Sequence, residues 1–421
     1  MKHILLFLSC LFLFACVPTI QKIALTETEV IKKRTPAEPS ICDYPTNFEP
    51  DSTTPTKQIR VNIHFMRDDN GNGNFDEEKG RQYAKDLLYN SNLKLEKNKQ
   101  MKLPKGNTTP VLPTKLRFVL TPNSDDVNDD GIYFHNDSDL YYYLDKGPNR
   151  NFTNKDVFKK YGIGKGKILN IFVHAYPIDS VKSPTFKSIN LKGIAFPSEG
   201  FTKLTGLYAY STDTMSYNRK GEPIIKGAWF CAGHLNHEIG HVLGLHHTWR
   251  YNDGCEDTPK NPNCWAYNRN APCNKNYSNN VMDYNTYQSA WTPCQLSKVH
   301  KNLSISNSRT RKLAIPTWCI YKEEETITLY EDEEWFGTKD IEGDIIVPND
   351  VTLTINCTVN MPKGGKIIVH QRGKLILNEA TIQNDCGEEW GGIEFWQQKE
   401  EKGQVIYNNE VQILNTPKKD K

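Results

Sequence analysis

Residues 234–249 read HLNHEIGHVLGLHHTW, and this stretch decides the fold of the chain around it. His237 and His241 stand four apart, so on a helix both project from one face. Two imidazoles so placed grip one metal ion, and zinc takes imidazole nitrogen readily. Gly244 follows His241 by three residues, and His247 follows by three more. Glycine takes a positive φ at little cost, which lets the chain turn sharply out of the helix and bring back His247 as a third ligand. Three protein ligands leave the fourth position of a tetrahedral site to water, as a catalytic zinc requires. Glu238, beside the first histidine, can reach that water without being a ligand. The spacing selects His247 over His246, which reads as a neighbour lining the cleft, and His234 reads as a residue of the preceding turn.

Downstream, residues 278–287 read SNNVMDYNTY. An isolated methionine in a loop is by default a core residue. After a complete ligand motif, Met282 reads as the hydrophobic floor under the metal, and Tyr284 as a side chain that swings near it. The run HExxHxxGxxH followed by this methionine turn resembles the metzincin signature. With GCEDTP at 254–259, scattered cysteines and the late Cys294, the region from about Gln58 to His300 is similar to the pappalysin family of metzincin zinc metallopeptidases. That resemblance implies an endopeptidase cutting internal peptide bonds of proteins with one catalytic zinc, in a cleft under a central sheet. Glu238 would take a proton from a zinc-bound water and pass it to the leaving amine, and Tyr284 would help stabilise the tetrahedral intermediate.

Cys255, Cys264, Cys273 and Cys294 match in order the four cysteines of two pappalysin disulfides, and four cysteines allow three pairings. The resemblance implies Cys255 with Cys273 and Cys264 with Cys294. A second structural zinc is the alternative, and the spacings lack its close CxxC pairs. Some family members bind calcium after the third histidine, which makes Asp257 a calcium candidate here. A further candidate loop, DDNGNGNFDEEK at 68–79, matches an EF-hand at Asp68, Asn70, Asn72, Gly73 and Asp76. Lys79 occupies its twelfth position, where a bidentate glutamate belongs, so a plain Asn/Gly turn is the rival reading.

Upstream, Ile59, Val61, Ile63 and Phe65 alternate with polar residues as a strand does, and Tyr83, Leu87 and Leu88 fall at helical spacing within 78–95. Leu116 to Leu120 and Ile168 to Val173 are two further apolar runs of strand length. Strand, helix and strands ahead of the histidine helix predict an α/β (α+β) catalytic domain over residues 56–318, and the pappalysin resemblance implies that it is metzincin-like with a central mixed sheet. After Trp318 the composition changes to short runs of strand formers broken by glycine, as in GDIIVPNDVTLTINCTVNMPKGGKIIVHQRGKLILNEATIQN (343–384). Such spacing predicts a small all-β module over 319–421, similar to a parallel β-helix of a few coils, with a small β-sandwich as the alternative. All four mechanistic residues precede it, so the module is expected to be dispensable for the chemistry.

The chain opens MKHILLFLSCLFLFAC, a short basic start, an apolar run and a small-residue boundary, the layout of a secretory signal over residues 1–15. The run is too short for a permanent membrane span. Leu13, Phe14, Ala15 and Cys16 resemble the bacterial lipobox, with Phe14 bulkier than usual. The resemblance implies a lipid anchor to the membrane at Cys16 and a place in the cell envelope, an ordinary cleaved signal and a secreted product being the alternative. Residues 16–55 lack apolar periodicity and read as a tether or pro-segment. Of the eleven cysteines, nine lie beyond the export segment, where disulfides persist. Cys42 lies alone ahead of the catalytic domain, and a tethered thiolate there could occupy the metal's fourth position as a latency switch; related pappalysins use a pro-segment ligand in this way. A disulfide with Cys231 or Cys319, or an inert thiol, are the alternatives. The net charge of +2 and the 24% charged fraction name no partner, and nucleic acid binding is not suggested; the pappalysin resemblance implies protein or peptide substrates.

Overall fold

The computed structural model describes residues 23–24, 42, 44–123, 127–143, 155–176, 192–208, 227–248, 253–258, 260, 264–266, 269–271, 273–285, 287–398 and 400–417. Its longest strand, β1 (Lys57–Arg67), carries the predicted alternation, with Ile59, Val61, Ile63 and Phe65 fully buried on one face. Asn62, His64 and Met66 on the other face are buried too, as in a strand at the centre of a sheet covered on both sides. Two short strands, β2 (Leu116–Leu120) and β3 (Ile132–Asn136), lie end to end along one side of β1, and β4 (Leu169–His174) pairs with the other, all parallel. The sheet ends in β5 (Lys192–Phe196), antiparallel to its neighbour β6 (Phe201–Thr205), which itself runs parallel to β4. It is therefore a mixed sheet.

Helix α1 (Glu77–Glu96) starts where Asp76 accepts a hydrogen bond from the Lys79 amide, and Glu77 and Glu78 in its first turn suit the helix dipole. Its Tyr83, Leu87, Leu88 and Leu95 pack on the Ile59/Val61/Ile63/Phe65 face. A short helix, α2 (Asp156–Tyr161), covers the opposite face, where Val157 and Phe158 join Met66, Phe172 and Phe201. Helix α3 (Ala228–Val242), which carries the histidines, packs beside α1 on the same face. Two more helices follow, α4 (Pro293–Ser304) and α5 (Arg309–Leu313).

From Ile327 the chain winds as a parallel β-helix, so the sandwich alternative is replaced. Ile345 pairs with Ile367, and Ile367 with Ile393. On a second face Leu353 pairs with Leu375, and Leu375 with Val405. Equivalent positions stack through the interior as an aliphatic ladder, giving an apolar cluster separate from that of the α/β part. The corners are stacked as well: Asn378 donates to Asn356 Oδ1 at 2.8 Å, and Asn409 to Asn378 Oδ1 at 2.8 Å.

The two parts meet at a buried charge cluster. Asp340 of the β-helix takes two parallel hydrogen bonds of 3.0 Å from Arg311 of α5, a contact from Lys57 of β1, and 2.7 Å from Asn360. Arg311 also donates to Asp385 at 2.9 Å, and Trp318 lies against both cations.

Two disulfides cross the same junction, Cys42–Cys357 and Cys319–Cys386. The first corrects the expectation of a latency switch at Cys42. Its sulfur is bonded within a β-helix corner, so no thiol remains to reach a metal. The expectation of a loose segment up to residue 55 also fails over its last part, because Phe48 and Pro50 are buried and the turn Pro45–Phe48 packs on α4. Farther upstream, Ile23–Ala24 pairs with Phe395 and Glu394 at the edge of the β-helix. Cys16 and the predicted signal lie outside the described residues. Among the described residues, no helix is long and apolar enough to cross a membrane.

Candidate metal centre

Helix α3 ends in the turn that the glycine spacing demands. Gly244 has φ +102°, its amide donates to His241 O at 3.0 Å, and the Leu245 amide donates to Gly240 O at 3.0 Å. This pair of bonds is a Schellman ending, which satisfies the last helical carbonyls and reverses the chain. The reversal carries His247 back over the helix. His247 Nε2 then lies 3.2 Å from His237 Nε2 and 3.0 Å from His241 Nε2.

What faces this point is fixed by what lies behind each ring. His237 Nδ1 is 2.7 Å from Val281 O, and His241 Nδ1 is 2.8 Å from Leu245 O. A carbonyl only accepts, so each Nδ1 carries the proton and each Nε2 presents a lone pair. Burial pushes the pKa of all three imidazoles down, that of His247 to about 4, which keeps them neutral at pH 7. Neutral imidazoles with converging lone pairs are the donor set of a cation.

The segment that supplies Val281 O is itself braced. Asn280 and Gln295 exchange two amide hydrogen bonds of 2.9 Å, and Asn280 Oδ1 also accepts from the Met282 amide at 2.8 Å. Gln295 belongs to a capping box with Thr292 at the start of α4. Met282 is fully buried beneath the histidine helix, where a side chain at Gly240 would meet its sulfur at 2.6 Å. Gly240 is thus a site residue the sequence reading missed, although a glycine between two ligands of one helix is its visible trace.

Glu238 is buried, and burial alone pushes its carboxyl up to about 8. Its Oε1 lies 4.0 Å from His234 Nε2. His234 stands within α3, one turn before Glu238, and not in a preceding turn. His246 is exposed. Tyr284 is 48% exposed, with its ring centroid 4.8 Å from that of His247 and 5.3 Å from that of Trp265.

The disulfides below the centre differ from the expected pairing. Cys255 bonds to Cys294, and Cys264 to Cys273. The reason lies in Asp257, whose carboxylate accepts from Thr292 Oγ1 at 2.8 Å and from the Cys294 amide at 3.0 Å. That cap draws the 253–258 loop onto the start of α4 and sets Cys255 opposite Cys294. Cys264 and Cys273 close a short loop and bury themselves against Leu103. Cys231, on α3, is buried outside the four disulfides. In the EF-hand-like loop, Asp68 Oδ1 accepts from the amides of Asn70 and Asn72 at 3.0 and 2.8 Å, while Asp76 caps α1. These are the bonds of a turn. The four disulfides mark a protein that matures in an oxidising compartment outside the cytoplasm.

Solved structures similar to this one include mature mirolysin of Tannerella forsythia in complex with a cleaved peptide, at 18% identity and a TM-score of 0.41. That match covers 63% of this chain and 97% of that one. A promirolysin mutant of the same organism matches at 16% identity and a TM-score of 0.40, covering 62% of this chain and 85% of its own. No curated protein sequence matches the chain. Residues 151–304 match the model of peptidase family M43, described as pregnancy-associated plasma protein-A. The matched span holds all of α3, the returning His247 and the Met282 segment, and over it the chain carries a metallopeptidase domain similar to those of that family.

Proposed function

We propose that the chain is a zinc-dependent endopeptidase in which His237, His241 and His247 hold the metal and Glu238 is the general base. The observation that carries this reading is the spacing of the three Nε2 atoms. Tetrahedral zinc with N ligands at about 2.0–2.1 Å holds neighbouring nitrogens about 3.3 Å apart, and the separations of 3.0 and 3.2 Å to His247 fit that value. Zinc bound there would supply Lewis acidity toward water and the scissile carbonyl. Glu238 Oε would accept the proton of the attacking water and pass it to the leaving amine, a cation held by the three histidines favouring the ionised carboxylate against the burial that raises its pKa. Tyr284 would donate to the oxyanion, a role supported by its half-exposed ring beside that of His247. Met282, packed against Gly240 between the two helical ligands, would form the floor beneath the metal.

The same reading assigns catalysis to residues 56–318 and treats 319–421 as a separate module, which the two distinct apolar clusters support. It also assigns a lipid to Cys16 in the cell envelope, supported by the apolar run that ends at that cysteine. Incubation with a complex peptide library, with and without a zinc chelator, tests the chemistry by mass spectrometry. Internal cuts that vanish with the chelator and return with added zinc are expected. Release of terminal residues only, or cleavage indifferent to the chelator, would overturn it. Labelled fatty acid should enter the parent chain and not Cys16→Ser; label in both or in neither removes the anchor.

A further inference from the structure

We propose that Gly193, on the edge strand β5, is a positioning residue for Glu238: its missing side chain is the space that the Glu238 side chain occupies. This rests on the reading of Glu238 as the general base.

β5 runs antiparallel to β6, with Gly193 opposite Leu204, and packs against α3. A Cβ built on Gly193 would lie 2.6 Å from Glu238 Cγ and 2.5 Å from Glu238 Cδ, and would meet Oε1 as well. The backbone of Gly193 is not in the left-handed region, so any residue could adopt its conformation. Space, not torsion, demands the glycine.

Which atoms collide decides the consequence. Were only the carboxylate oxygen in the way, rotation about the last bond would clear it. Because Cγ and Cδ are overlapped too, the side chain must leave its χ1/χ2 well, and a helix offers few alternatives. Glu238 stands on α3 one residue after His237, whose ring is fixed by Val281 O, so the helix cannot roll to make room without dragging a ligand. The movement falls on the carboxylate or on β5, which among the described residues pairs along one side only.

Gly193→Ala in the full chain, alone and combined with Glu238→Ala, tests this by kcat, KM, metal content and thermal midpoint. Gly193→Ala should keep its metal near the parent level, hold KM within about threefold and lose about 100-fold in kcat, the scale of an ångström of misplacement at a reacting group. In the Glu238→Ala background, where Cγ is gone, the same substitution should change neither residual cleavage nor the thermal midpoint. If Gly193→Ala fails to fold while the double variant folds, the contact stands. A kcat within about tenfold of the parent, a rise in KM alone, or an equal thermal cost in both backgrounds each overturns the proposal. Parent-like activity of Glu238→Ala alone removes the general base instead, and the thermal comparison still decides whether the two residues exclude each other.

Discussion

Two buried polar clusters organise this molecule, and they are built on opposite principles. At the candidate metal centre, three neutral imidazoles aim lone pairs at one point, each of two rings fixed from behind by a carbonyl. At the junction with the β-helix, one carboxylate, Asp340, is surrounded by cations that the chain itself supplies, Lys57 and Arg311. Both sets of groups are withdrawn from water, which costs several kcal/mol for an unpaired ion. The first cluster is arranged for reactivity and gains nothing from neutralising itself. The second cancels its charges internally and serves to hold two parts of the chain in one arrangement.

The largest effect should come from disarming the first cluster without dismantling it. Glu238→Gln keeps the volume of the side chain and all three imidazoles, but cannot accept a proton. Metal content should stay near one per chain while peptide cleavage falls by about three orders of magnitude or more, the range for loss of a general base. Metal analysis beside a turnover assay measures both. Activity within about tenfold of the parent would remove Glu238 from the mechanism.

Removing Asp340 should act on stability instead. Asp340→Ala leaves Lys57 and Arg311 buried, with Asp385 as the remaining carboxylate on Arg311. Breaking one partner out of a buried ion cluster costs about 3–5 kcal/mol, so the urea midpoint should fall markedly while kcat, measured well below the transition, stays at the parent value. A fall in kcat of tenfold or more would mean that the junction also shapes the metal centre. The expectation that the module is dispensable is sharpened by the same logic. A chain ending near Ile320 keeps every proposed ligand but loses the partners of Lys57 and Arg311, and of Cys42 and Cys319. Any loss of cleavage by it should track loss of folded protein.

The difference between the clusters also explains what could be read in the sequence. The centre was legible because its residues are bound together by local geometry. A spacing of four puts His237 and His241 on one helix face, and a glycine three residues on permits one particular reversal. The β-helix was legible through recurrence, since Ile345 and Ile367, or Leu353 and Leu375, are successive turns of one pattern. The junction joins Lys57, Arg311, Asp340 and Asp385, and Cys42 to Cys357, across distances that no period spans. Nothing in SICDYP says where its sulfur goes. The pairing of Cys255 failed for the same reason, because it depends on Asp257 capping a helix whose approach only the folded chain reveals.

Cys42→Ser therefore tests the junction again, more gently. Loss of a disulfide costs about 2–4 kcal/mol, and the variant should melt lower with its specific activity unchanged. A latency switch predicts the reverse, higher activity with no loss of stability, so the two readings separate cleanly in one preparation.

The smallest effect should be a dependence on pH carried by His300, on α4 beside the junction. Burial pushes its pKa from the ordinary 6.5 down to about 4, and its Nε2 lies 2.9 Å from Thr114 O, so the neutral ring donates there. The unfolded chain takes up a proton at His300 as pH falls through about 6.5, whereas the folded chain resists until about 4. More protons are then bound by the unfolded state, and stability is lost on acidification within that window and complete above it. One pH unit below the unfolded pKa, the loss is about 1.4 kcal/mol. Asp340, held far below the carboxylate range by Lys57 and Arg311, adds nothing until its unfolded counterpart protonates near pH 4. Urea midpoints at pH 7.5, 6.5 and 5.5 should therefore fall mainly over the last step, and His300→Gln, which still offers a donor to Thr114, should remove its share of about 1.4 kcal/mol from that step, the remainder being carried by other buried imidazoles with lowered pKa such as His64, His135 and His174. An unchanged slope in His300→Gln would place the acid sensitivity elsewhere, and the neutral imidazoles of the metal centre, buried by the same α/β core, would be the next groups to substitute.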